Sequence, residues 1–131
     1  MKRIILILAA IVLTFNSYSQ VRDDITMASD AVMSADTSFT KYVPDNQTWG
    51  LTVSWDSLTG TLDGVLKIKV SDDGVNFANY ATLDSVTIAD TTSFAMFEDV
   101  YFAHKFIKLD YTKNSITYGK INALLILKPR Q

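Results

Sequence analysis

GVLKIKVSDDGVNFANY, residues 64–80, decides the fold by its spacing. Leu66, Ile68 and Val70 alternate with Lys67 and Lys69, the period of two expected of a strand with one face in a core and the other in water. The run then breaks at Ser71, Asp72, Asp73 and Gly74. Glycine after aspartate permits a positive φ, Asp72 is placed to bond the turn backbone, and Phe77 is expected to pack back on the core. Asp72, Asp73 and Asn76 also place three oxygen-bearing side chains close together, as a hard cation such as calcium would require. A calcium loop needs further ligands and a closing bidentate carboxylate, whereas Val75 and Phe77 follow here. The reading is therefore a turn, with no metal, and Asp72, Asp73 and Asn76 are the candidates should a cation bind.

The same alternation recurs on both sides of this stretch. In WGLTVSWDS, Trp49, Leu51, Val53 and Trp55 share one face, and Thr52 and Ser54 the other. Between the two runs, Gly60, Asp63 and Gly64 supply turn chemistry. SVTIA and SFAMFEDV read as short strands around the polar break DTT, and HKFIKLDYT puts Ile107, Leu109 and Tyr111 together. KINALLILK differs, because Ile121, Ala123, Leu125 and Leu127 make one apolar face while Leu124 and Ile126 make a second. Such a strand is either central in a sandwich or covered on its outer face by another subunit. Short strands are also expected near Ile25 to Met27, Ala31 to Met33 and Phe39 to Val43. Strands at this spacing, with turn signals between them, predict an all-β fold: a single antiparallel β-sandwich, jelly-roll-like.

The N-terminus has the form of a secretory signal peptide. Lys2 and Arg3 precede an apolar run from Ile4 to Phe15, and Ser17 and Ser19 sit where a signal peptidase accepts small side chains. The run falls short of the roughly 20 residues that span a bilayer. The sequence divides into a signal at 1–19 and a β-sandwich domain at 20–131, exported to the periplasm, cell surface or exterior, with no membrane association after cleavage. The full chain carries a net charge of −2, and it grows more acidic when Lys2 and Arg3 leave with the signal. An acidic chain with scattered lysines lacks the footprint that nucleic acid requires. There is no cysteine, so the core or contacts between copies must stabilise the domain without disulfides.

The run VSDDGVNFANY resembles the strand-and-turn signature of galactose-binding-like, discoidin-type β-sandwiches, in which a strand ends in Ser-x-Asp-Gly before an aromatic. AHKFIKLDYT is similar to the strand of those domains that reads small-Arg-aromatic-Ile-Arg-Leu, with Lys105 and Lys108 at the basic positions. Together with GKINALLIL, these motifs also resemble small β-sandwich modules in structural proteins of tailed phages. The resemblance spans residues 49–128 and implies the sandwich fold. The cysteine pair common in discoidin-type domains is absent.

Chemistry for catalysis is sparse. His104 is the one histidine, Glu98 the one glutamate, and cysteine is lacking, so cysteine nucleophiles and histidine-rich zinc sites are excluded. Asp72-Asp73 and Glu98-Asp99 are sequence neighbours, which in a strand point to opposite faces and make no facing acid and base. The expectation is a non-catalytic exported interaction module without a cofactor, binding a glycan or another cell-surface ligand. Trp49 and Tyr80, near strand ends, are the residues expected to be exposed for stacking on a sugar. The alternative is a structural subunit of a phage particle or cell-surface assembly, forming a homo-oligomer through its C-terminal strand. Expressed with its signal in a Gram-negative host, the protein is expected outside the cytoplasm with Gln20 at its N-terminus. Intact mass decides this, and a membrane-retained chain keeping Met1 would refute it.

Overall fold

A computed structural model describes residues 22–44, 47–56, 63–80, 85–88, 92–99, 103–115 and 118–129. The expected signal at 1–19 and Gly60 lie outside these residues. Among the described residues the elements are all strands: β1 (Asp23–Val32), β2 (Thr37–Tyr42), β3 (Gln47–Asp56), β4 (Gly64–Ser71), β5 (Ala78–Asn79), β6 (Val86–Ile88), β7 (Ser93–Asp99), β8 (Phe106–Lys113) and β9 (Lys120–Pro129). They form two antiparallel sheets. The first has the order β1-β9-β3-β7; the second runs β2-β8-β4, with β5 and β6 both pairing to the free side of β4. The chain changes sheet at every step except from β4 through β6, as in a jelly roll. No helix among the described residues is long and apolar enough to cross a membrane.

The core lies between the sheets and takes one face of each long strand. Leu66, Ile68 and Val70 from β4 and Ile107, Leu109 and Tyr111 from β8 meet Leu51, Val53 and Trp55 from β3. All are buried, as their alternation predicts. Each fully buried aliphatic side chain is worth about 1.5 to 3 kcal/mol, which is how a cysteine-free domain holds together. Ile121, Ala123, Leu125 and Leu127 complete the core from β9, which lies between β1 and β3. The two-faced C-terminal strand is thus a central strand.

Three expectations are corrected by the backbone. The weak strands near Ile25 to Met27 and Ala31 to Met33 are parts of one strand, β1, whose register against β9 shifts between Thr26 and Ala28 and again between Ala28 and Ala31. Asp30 adopts φ 48° there, and its N–H donates to Asn122 Oδ1 at 2.7 Å. A bulge breaks the period of two, so one strand reads as two. Gly64 is not a turn residue but belongs to β4, where an added Cβ would lie 2.3 Å from the Tyr111 ring. It is there to let that ring, whose hydroxyl donates to the Asp63 carbonyl at 3.3 Å, close over the strand. Trp49, expected at an exposed rim, is 2% exposed. It sits at the same parity as Leu51, Val53 and Trp55, and parity rather than nearness to a strand end decides which way a side chain faces.

The loop after β4 is a turn, built differently from its expected form. Gly74 has φ 74°. Asp73, not Asp72, bonds the backbone: its Oδ1 accepts N–H groups from Val75 and Asn76, both at 2.8 Å, and the Ser71 hydroxyl at 2.8 Å. Its Oδ2 accepts the Asn76 side-chain amide at 2.7 Å. The buried Ser71 hydroxyl in turn accepts the Gly74 N–H at 3.0 Å. These donors, the Asn76 and Val75 amides foremost, hold the Asp73 carboxyl well below the usual carboxylate range. Phe77 does not return to the core; it is half-buried on the outer face of the second sheet with Lys108 Nζ 4.9 Å from its centroid. Phe106 takes the place against the turn, its ring 3.1 Å from where a Gly74 Cβ would stand.

Gly74→Val is therefore expected to cost on the order of 1 to 3 kcal/mol, from a positive φ imposed on a β-branched residue. Trp49→Ala is expected to cost about 3 to 5 kcal/mol as a core truncation. Denaturant midpoints at unchanged slope measure both. A lowered native pKa makes the Asp73 contribution full above the ordinary value of 3.8 and draws it down as pH falls below that toward the native value. The stability gap between wild type and Asp73→Asn should stay constant above about pH 5 and narrow on acidification, as urea melts across that range would show.

Candidate functional site

Three of the sequence-predicted site residues, Trp49, Tyr80 and Asp72, are linked through His104 in a column from core to surface. Trp49, buried at the start of β3, meets Tyr80 edge to face with centroids 6.2 Å apart. Tyr80, half-buried just past β5, meets the His104 ring at 6.2 Å and 90°. His104 Nδ1 lies 3.1 Å from Asp72 Oδ1. The backbone explains the placement of Tyr80, since its N–H donates to the Ile68 carbonyl at 3.0 Å and extends the β4 to β5 ladder by one bond. Trp49 and Tyr80 are thus brought together, but as a packed pair and not as two rings facing solvent. Asp72, Asp73 and Asn76 do not converge: Asp72 turns to His104 while Asp73 and Asn76 bond each other. Among the described residues no group of three or more His, Asp or Glu side chains is placed to hold a metal ion.

A different surface stands out, on the outer face of the first sheet. Here β3 presents only small side chains, Gly50, Thr52 and Ser54, between two taller rows. On one side Met96 stands opposite Thr52 and Phe94 opposite Ser54; on the other, Leu124 and Ile126 stand opposite Thr52 and Gly50. Small residues between large ones make a trough of about 470 Å³, with Glu98 on one wall and Lys128 on the other. Phe94 and Met96 are 66% and 72% exposed, while Leu124 and Ile126 are half-buried.

The outer face of the second sheet is charged by contrast. Lys67, Lys69, Lys108 and Asp110 lie on it, with Lys69 Nζ 2.6 Å from Asp110 Oδ2. The trough offers apolar area framed by one acid and one base, Glu98 and Lys128. Sequence reasoning passed over Phe94 and Met96, although the signal was present: SFAMFEDV is apolar in both phases of its alternation, as KINALLILK is.

No protein-family model matches the chain, and no curated protein matches it. Solved structures do. The SPBc2 prophage-derived protein YomS is similar over 86% of this chain and 99% of its own, at 11% identity and TM-score 0.53. The PBSX exported protein XepA is similar over 83% of this chain at 12% identity and TM-score 0.56, the match spanning 38% of XepA. A chain in the structure of infectious bursal disease virus Gx strain is similar over 84% of this chain and 32% of its own, at 12% identity and TM-score 0.56. At such identities the likeness is one of fold: this chain shares its β-sandwich with prophage-derived and viral proteins.

Proposed function

We propose that the protein is an exported, non-catalytic structural subunit that works by packing against further copies of itself. The observation that carries this reading is the apolar outer face of the first sheet, where Phe94 and Met96 stand in solvent beside Leu124 and Ile126. A monomer gains nothing from that exposure, whereas burial of the same rows in an assembly recovers about 25 cal/mol for each Å² covered. Fold likeness to YomS and XepA supports the reading without supplying a role. The export expected from the sequence of residues 1–19 accords with it.

Glycan binding is the second reading, and the trough is the observation in its favour. A groove of about 470 Å³ is within the size range of small-ligand sites, and Thr48, Thr52 and Glu98 would offer hydrogen bonds along it. Trp49 cannot serve as a stacking platform from the core, which leaves Phe94 as the exposed ring beside the groove. Light scattering on the mature protein at concentrations from about 1 to 100 μM, a span that brackets typical subunit affinities, separates the two. A discrete oligomer is the expected result. A monomer at every concentration that is retained on a glycan array would give the function to the second reading.

A further inference from the structure

The first and second sheets end in strands of very unequal openness, and the inequality identifies an interface. In the first sheet, β1 is interrupted by two register shifts and a positive φ at Asp30, and carries Asp23 and Asp24 at its start. In the second sheet, β5 and β6 have two and three residues. β2 is regular, but Lys41, opposite the buried Ile107, occupies an inward position, a charge that resists further pairing on that edge. Each of these edges is blunted by one of the devices that keep sheets from joining.

β7 has no register shift, no positive φ and no inward lysine, and its only charges are Glu98 and Asp99 at its end. Its seven residues pair with β3 one for one, from Ser93 opposite Trp55 to Asp99 opposite Trp49, without a shift. It contains no lysine, arginine, proline or glycine, and Phe94 and Met96 project from it into solvent. Among the described residues its far side pairs with no strand. Resting on the subunit reading above, we infer that β7 is the docking edge for a second copy of this chain. The two β7 strands pair antiparallel about a two-fold axis at Ala95 and join the first sheets into one.

The register follows from the sequence of the strand. A two-fold contact must be self-complementary, and with Ala95 on the axis Phe94 stands opposite Met96 of the other copy, and Met96 opposite its Phe94. All four side chains lie on the outer face, where aromatic and thioether groups make favourable cross-strand contact. Ser93 stands opposite Phe97, and Glu98 opposite Thr92. The acids at the end of the strand, Glu98 and Asp99, are therefore kept from each other, and no like charges meet across the axis. The apolar row of each copy becomes continuous with that of the other.

The absence of cysteine from the sequence allows a clean test on the mature chain. Phe94→Cys and Met96→Cys are made separately, and a mild oxidant is added to each alone and to their mixture. The inference expects a disulfide-linked dimer chiefly in the mixture, where the two thiols face each other. It also expects Met96→Lys to raise the dimer dissociation constant about tenfold, because both symmetric Phe94–Met96 cross-strand contacts are lost and a lysine is placed on the joining edge, with the thermal melt of the monomer unchanged because the position is exposed. A wild-type chain that stays monomeric overturns this edge and the subunit reading together. An oligomer that survives Met96→Lys, with cross-linking no stronger in the mixture than for a Ser38→Cys control on the opposite sheet, overturns the edge and leaves the subunit reading standing.

Discussion

The insertion of β9 between β1 and β3 is the contact on which the rest depends. From Gln47 opposite Pro129 to Asp56 opposite Lys120, β3 is paired with β9 along its whole length, and β1 reaches the sheet only through β9. Remove that strand and the first sheet becomes a β3-β7 pair and a detached β1, while the inner residues of the second sheet lose Ile121, Leu125 and Leu127 as their cover. The strand answers two demands at once. Its inner row is fully buried, and Ile126 from its outer row lies in one wall of the trough. Apolar residues in both phases are the price of that double position.

The sandwich was legible because most long strands bury one face and wet the other, and a period of two needs no structure to be seen. Leu66, Ile68, Ile107, Leu109 and Trp55 declared their burial that way. What failed were inferences that set local position above parity. Trp49 lies near a strand end, yet shares the inward phase of Leu51 and Val53. The division of Asp72 and Asp73 between a ring partner and the turn backbone depends on how β4 leaves its sheet, which spacing does not encode. The β1 bulge was hidden because it shifts the phase in mid-strand. The trough was hidden because it arises between strands distant in sequence, from Gly50, Met96 and Ile126 together.

The two outer faces of the sandwich divide its labour. Lysines, an ion pair and the Lys108 contact with Phe77 make the outer face of the second sheet polar. The first sheet offers largely apolar rows around small residues, with Glu98 and Lys128 toward one end. A domain with one wet face and one dry one presents a single preferred orientation to whatever it meets.

The irregularity in β1 has a consequence for how far association can proceed. Two sheets joined through β7 would form one eight-stranded sheet with a copy of β1 at either margin. Each margin then carries the displaced register, the left-handed Asp30 and the aspartates at the start of the strand. A third copy finds no straight ladder to extend. In such a dimer the kink in the first strand would act as a chain terminator for sheet growth and halt association short of a fibre.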